Sequence, residues 1–202
     1  MMNMSNSSEE YTSEKLSEMF DLCNINDLPI EAPLYIYLFY PEDCKECAIL
    51  DSSVDEAKYR LYERLTLMTS DNNNNNSNNN NNNEEEEKKR LKRFARSLFV
   101  VAPYPNDEAC RVKKEDSCSC RSLLNNFVNN NNKDDVYLVA FKIAYNNEDE
   151  SDNNRLREEP KKIKVKKIIK INRENIKKLA NQDKEKVIDY LERLILKAVP
   201  KF

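Results

Sequence analysis

The chain has 202 residues and a formal net charge of −3, from 33 basic and 36 acidic side chains. It contains no histidine, which excludes Ser-His-Asp and Cys-His catalysis and restricts any zinc site to cysteine, aspartate and glutamate. It also contains no glycine, which excludes glycine-rich phosphate loops, dinucleotide-binding fingerprints and nucleophile elbows.

Residues 1–30 are predicted to form a flexible tail and one short helix. Thr12 or Ser13 can cap this helix, and apolar residues follow at helical spacing, namely Leu16, Met19, Phe20 and Cys23. Cys23 is therefore expected to be a buried core thiol. The first residues do not resemble a secretory leader, and no apolar run is long enough to span a membrane. We therefore expect a soluble protein in the cytoplasm, with the nucleus as the alternative.

The remaining residues, 31–202, are predicted to fold as one α/β domain. Leu34–Tyr40 has no charged or amide side chain, which is typical of a strand buried on both faces of a sheet. An apolar stripe then recurs in steps of three and four and predicts a helix of about six turns that covers one face of this strand. The stripe consists of Cys47, Leu50, Val54, Ala57, Leu61, Leu65 and Met68.

Residues 70–84 are predicted to be a disordered, asparagine-rich insertion. Asn72–Asn83 is asparagine except for one serine and has no apolar side chain to bury. A charged helix is predicted after it, and the basic half of that helix, Lys88–Arg96, is interpreted as a solvated surface in preference to a nuclear-import signal.

Three strands, two helices and two polar loops complete the predicted order. The strands are Ser97–Ala102, Asp135–Tyr145 and Lys161–Ile171, the helices are Arg121–Val128 and residues 172–200, and the loops are residues 103–120 and 146–160. Alternation predicts that the last strand is exposed, with Ile163, Val165, Ile169 and Ile171 on one face and most of its lysines on the other. Lysine on an edge strand discourages hydrogen-bonded pairing with the edge strand of another molecule. The strand has no interleaved aromatic residues on which bases could stack, which disfavours nucleic acid as a partner.

The segment "LFYPEDCKEC", residues 38–47, places Cys44 and Cys47 between the first strand and its helix. This segment resembles the active-site region of thioredoxins and protein disulfide isomerases. The predicted order β-α-β-α-β-β-α resembles the thioredoxin fold, a four-stranded mixed sheet flanked by helices. The resemblance implies a thiol–disulfide oxidoreductase that acts on protein thiols without a cofactor. It also implies that Cys44 is the exposed nucleophile and that Cys47 is the resolving cysteine.

The surroundings of this pair depart from the resemblance at three places. Asp43 stands where the family has tryptophan, and Leu38 replaces its buried acid. Asp134 and Asp135 stand where a cis-proline precedes the third core strand in that family. These departures leave open a second hypothesis, a non-catalytic thioredoxin-fold subunit that binds a protein partner within a larger complex.

Charge also bears on the reactivity of Cys44. Glu42, Asp43 and Glu46 surround the pair, whereas Lys45 is the only cation within it. Carboxylates disfavour a second anion nearby, so a thiolate at Cys44 is expected to be less stable than in a strongly oxidising family member.

The remaining cysteines allow a third hypothesis. Cys118 and Cys120 could join Cys44 and Cys47 in a tetrahedral zinc site that stabilises a binding module. Alternatively, Cys118 or Cys120 could exchange with the main pair, or these two and Cys110 could be loop thiols without a role.

Deleting Asn72–Asn83 is expected to leave the melting temperature within about 5 °C of the full chain. The tract has no apolar residue to bury, and a shorter flexible loop changes closure entropy by only roughly 0.6 kcal/mol per factor of two in length. Thermal unfolding of both proteins measures this difference. A larger drop would show that the tract packs against the core.

Overall fold

The computed structural model describes residues 21–28, 32–70, 82–106, 109–110, 118–128, 135–144 and 162–201. The predicted N-terminal helix, most of the asparagine-rich insertion and the loop 146–160 lie outside these residues.

The described residues form an α/β structure that contains the four predicted strands, β1 to β4. The elements in chain order are β1 (Tyr35–Pro41), a 3₁₀ turn (Lys45–Cys47), α1 (Ala48–Ser70), α2 (Asn82–Ala95), β2 (Leu98–Tyr104), α3 (Cys118–Asn125), β3 (Val136–Ala144), β4 (Lys162–Ile171), α4 (Arg173–Ala180) and α5 (Lys184–Ala198). The predicted class, a mixed four-stranded sheet with helices, is therefore confirmed.

The sheet has the strand order β2-β1-β3-β4. β1 pairs with β2 in parallel and with β3 in antiparallel orientation, and β3 pairs antiparallel with β4. The prediction that Leu34–Tyr40 lies inside the sheet is confirmed, because β1 has a hydrogen-bonded neighbour on each side.

Each face of the sheet has its own core. On one face, Ile36 and Leu38 of β1 pack in a cluster with the buried stripe of α1 and with side chains of α2, α4 and α5. On the opposite face, Tyr35, Tyr37 and Phe39 belong to a second cluster that includes α3 and the segment 21–28. We call these the α1 face and the α3 face.

Two element boundaries, the end of β2 and the start of α2, differ from those predicted from the sequence. Pro103 does not stop β2, which continues to Tyr104. β2 is an edge strand, and there a proline can direct its missing N–H away from the ladder. The last two asparagines of the tract 72–83 begin α2, which starts at Asn82.

The predicted single C-terminal helix is two helices. α4 ends at Ala180, and α5 begins at Lys184 after a break that contains Asn181 and Asp183. The Asn181 side chain donates to the Lys177 carbonyl, and such local bonds compete with helix continuation. The predicted cap at Asn172 is confirmed, since its side chain accepts from the Glu174 amide.

The predicted faces of β4 are wrong because its register shifts by one residue. Phe141 pairs with Val165, whereas Ala140 pairs with Lys167, which leaves Lys166 as the extra residue of a bulge. Side-chain alternation therefore reverses at Lys166. Ile163, Val165 and Ile168 lie on the α3 face, whereas Lys164, Lys167, Ile169 and Ile171 lie on the α1 face.

Leu61→Asp is expected to lower the free energy of unfolding by about 3–5 kcal/mol, because it buries a carboxylate without a partner. The Leu61 side chain is 0% exposed in the α1-face core. Val54→Asp, at 1% exposure, should have a similar effect. Urea unfolding monitored by circular dichroism measures the change.

Leu67→Asp is the matched control, because Leu67 lies on the same helix and is 65% exposed. Leu67→Asp should change the free energy of unfolding by no more than about 0.5 kcal/mol. Equal losses at Leu61 and Leu67 would contradict the described packing of α1.

Candidate functional site

The Cys44–Cys47 segment forms a tight turn at the carboxyl end of β1. The Cys44 amide donates to the Pro41 carbonyl at 3.0 Å, and the Cys47 amide donates to the Cys44 carbonyl at 3.0 Å. The second bond belongs to the 3₁₀ turn Lys45–Cys47, and α1 continues directly from it. Both cysteines are therefore held at the strand-to-helix junction, where the sequence predicted them.

Cys44 and Cys47 form a disulfide, with their Cα atoms 5.3 Å apart. Cys44 is 4% exposed and Cys47 is 0% exposed, so Cys44 is the more exposed of the two, as predicted. Both are nevertheless buried, so the solvent-exposed Cys44 that the resemblance implies is wrong. Both side chains belong to the α1-face core, and α4 contacts the 3₁₀ turn. Because α4 is far from the pair in sequence, the motif alone could not predict that this helix covers it.

One acidic side chain lies close to the pair. The Cys44 Sγ atom is 3.9 Å from Glu46 Oε2, whereas Glu42 and Asp43 are exposed. A disulfide sulfur has no proton to donate, so this proximity matters after reduction. The Glu46 carboxylate is then expected to disfavour a thiolate at Cys44 by charge repulsion.

A second polar contact links the strand to the helix beside this turn. The Tyr40 hydroxyl lies near Asp51, which is in the first turn of α1. Partial burial, and then the charge and hydrogen bond of Asp51, raise the pKa of Tyr40 to about 12. Tyr40 therefore stays protonated at neutral pH beside the Cys44–Cys47 turn.

Two of the positions at which the sequence departs from the thioredoxin resemblance, Leu38 and Asp135, lie among the described residues. Leu38 is 1% exposed and packs in the same cluster as Cys44 and Cys47, so an apolar side chain occupies the place expected for a buried acid. Asp134 lies outside the described residues. Asp135 directly precedes β3, and its Oδ2 atom is 2.6 Å from Lys170 Nζ.

The residues around Asp135 form a polar and aromatic cluster at the carboxyl end of β2. The Tyr104 hydroxyl donates to the Asp135 carbonyl at 2.7 Å, and the Arg121 guanidinium lies 5.0 Å from the centre of the Tyr104 ring. Sequence reasoning missed this cluster. The pairing of Tyr137 with Lys170 brings Lys170 near Asp135, and no local pattern could reveal that pairing.

The other four cysteines form two further disulfides. Cys23 pairs with Cys120, and Cys110 pairs with Cys118. The prediction of loop thiols is therefore wrong, as is that of a core thiol at Cys23, although Cys23 is buried as expected. Cys23 lies in a turn beneath the α3 face, and spacing in the sequence cannot show which cysteines meet in space.

The cysteines of the proposed zinc set do not come together. Cys44 and Cys47 lie on the α1 face, whereas Cys120 packs on the α3 face and Cys118 is joined to Cys110. Among the described residues, no group of three or more cysteine, aspartate or glutamate side chains is arranged to hold a metal ion.

Comparison with protein-family models, curated proteins and solved structures finds no match to this chain. Within the described part of the chain, no helix is both long and apolar enough to cross a membrane. Function is therefore inferred from the geometry of the chain itself.

Glu46→Gln is expected to speed alkylation of reduced Cys44 at pH 7 by about two- to tenfold. Removing a negative charge about 3.9 Å from the Cys44 sulfur is expected to increase the thiolate fraction, and solvent screening at half-buried Glu46 limits the gain. Rates of iodoacetamide labelling at Cys44, read by peptide mass spectrometry, measure the change. Glu63→Gln is the control, since it removes an exposed charge further along α1, and equal rates in both variants would contradict a role for Glu46.

Proposed function

We propose that this chain is a divergent thioredoxin-like protein whose Cys44–Cys47 pair exchanges reversibly between dithiol and disulfide, with protein thiols as substrates. The observation that carries the proposal is the Cys44–Cys47 disulfide at the junction between the central strand β1 and α1. A pair three residues apart in sequence closes a short loop. It therefore restrains the unfolded chain less than a long-range disulfide does, which favours a chemical role over a purely structural one.

The sheet topology supports the same proposal. The resemblance implies a mixed four-stranded sheet, and the sheet observed here is of that kind, with β1 and β2 parallel and β3 antiparallel to both neighbours. Helices on both faces of the sheet fit that resemblance as well.

The proposed reaction is thiol–disulfide exchange without a cofactor. In the oxidising direction, a substrate thiolate attacks the Cys44 sulfur, the bond to Cys47 breaks, and Cys47 leaves as a thiolate. A second substrate thiolate then attacks the substrate sulfur of the mixed disulfide, which releases a substrate disulfide and leaves the pair reduced. Because Cys44 is 4% exposed, the first attack requires local opening of the turn or of α4.

A second candidate function is a non-catalytic subunit that binds a protein partner. The burial of both sulfur atoms favours it, as does Leu38 in place of the acid that would move protons. In that case the Cys44–Cys47 disulfide has a structural role only and stabilises the start of α1.

The three disulfides also bear on where the protein works. Such pairs persist in oxidising compartments and are rare in the cytoplasm and nucleus. We therefore propose an oxidising compartment in place of the cytoplasmic or nuclear location predicted from the sequence.

A redox titration that resolves each disulfide tests the proposed function. The protein is equilibrated in glutathione or dithiothreitol buffers, quenched with iodoacetamide, digested and analysed by mass spectrometry. The Cys44–Cys47 pair is expected to have a midpoint between about −270 and −120 mV, the range of dithiol oxidoreductases. Cys23–Cys120 provides the internal control, since it joins residues 97 apart and is expected to stay oxidised in these buffers.

Cys44→Ser and Cys47→Ser distinguish the roles of the two sulfurs. In Cys47→Ser, the Cys44 thiolate should attack a substrate disulfide, release one substrate sulfur as a thiolate and stay trapped in a mixed disulfide with the other, whereas Cys44→Ser should trap much less. A Cys44–Cys47 midpoint below about −300 mV, with no trapped species, would overturn the proposal and leave the binding subunit as the better account.

A further inference from the structure

The outer edge of β4 is open in the described part of the chain. β4 pairs only with β3 there, and no described element lies along its other side. It has ten residues, so its edge presents backbone N–H and C=O groups over roughly 30 Å. Such an edge can accept one more strand.

Two apolar side chains on this strand are exposed. Val165 is 42% exposed and Ile168 is 39% exposed. Both lie on the α3 face, because Val165 pairs with Phe141 and Ile168 pairs with Val139 across the bulge. An added strand would bring its own side chains beside them.

The charge on β4 is strongly positive. Lys170 is paired with Asp135, but Lys162, Lys164, Lys166 and Lys167 form no ion pair with any described carboxylate. Lys164 also lies directly opposite Lys142 of β3, and like charges in that position repel. An incoming acidic side chain would relieve this repulsion.

We propose that the β4 edge binds an extended acidic segment of another protein by strand addition. Main-chain hydrogen bonds would supply affinity, and carboxylates beside the four lysines would supply selectivity. The same lysines oppose pairing with a second copy of β4, because lysine would then meet lysine. A nucleic-acid strand fits less well, since β4 has no aromatic residue on which bases could stack.

The other edge of the sheet provides a comparison within the same molecule. β2 contains no lysine, and Pro103 removes one of its N–H donors. Strand addition of an acidic segment is therefore expected at β4 and not at β2.

A labelled peptide tests the proposal on the full-length, oxidised protein. The probe is a nine-residue peptide that alternates glutamate with valine, is capped at both ends, and is followed by fluorescence anisotropy. Saturable binding is expected, with amide chemical-shift changes along β4 and none along β2. No saturable binding up to about 1 mM peptide would overturn the proposal.

Charge reversal tests which residues select the peptide. Lys164→Glu with Lys166→Glu is expected to weaken binding at least about tenfold and to create binding to the same peptide with lysine in place of glutamate. Lys92→Glu with Lys197→Glu is the matched control, since it makes the same charge change at exposed positions on α2 and α5. Equal losses in the two double variants would show attraction by net charge alone and would overturn the proposal.

The backbone requirement is tested on the peptide, which avoids any change to the fold. Methylating alternate peptide nitrogens on the side that would face β4 should abolish binding, because those N–H groups can no longer donate. Methylation on the opposite side should leave binding within about twofold. Retained binding of the first peptide, or tighter binding of a ten-nucleotide single-stranded DNA at equal salt, would contradict strand addition.

Discussion

The burial of β1 on both faces is the constraint on which the rest of the structure depends. A strand with apolar side chains in both directions requires a neighbouring strand at each edge and a cover on each face. Ile36 and Leu38 are covered by α1 and the helices beside it, whereas Tyr35, Tyr37 and Phe39 are covered by α3 and the segment 21–28. Every other described element is arranged around these two requirements.

The central position of β1 also determines the setting of the Cys44–Cys47 pair. A turn that leaves the middle of a sheet and enters a covering helix is surrounded by core on several sides, so its sulfur atoms are shielded. The backbone bonds of the turn and the packing of α4 hold this turn in place. The setting protects the disulfide and limits access to it, so local opening becomes the step on which any exchange chemistry depends.

The α3 face is held together by aromatic packing and by a covalent link. The ring of Phe141 lies 5.3 Å from that of Tyr35 and 5.2 Å from that of Tyr37, and the Tyr37 hydroxyl donates to the Leu22 carbonyl. The Cys23–Cys120 disulfide fastens the segment 21–28 to α3 over these rings. Among the described residues this cover does not extend to the β4 edge, where Val165 and Ile168 are exposed beside the lysines.

The sequence by itself determined the features that depend on local pattern. The period of apolar residues predicted the two-sided apolar run of β1 and the stripe of α1. Capping chemistry predicted the cap at Asn172, and all three features lie where they were predicted. Only the tertiary structure decided which cysteines pair, how deeply Cys44 is buried, which way β4 faces after its bulge, and that Lys170 meets Asp135. The Cys23–Cys120 pair, the cover over Cys44, the register of β4 and the contact of Lys170 with Asp135 each depend on residues tens of positions apart, which neighbouring residues in the chain do not encode.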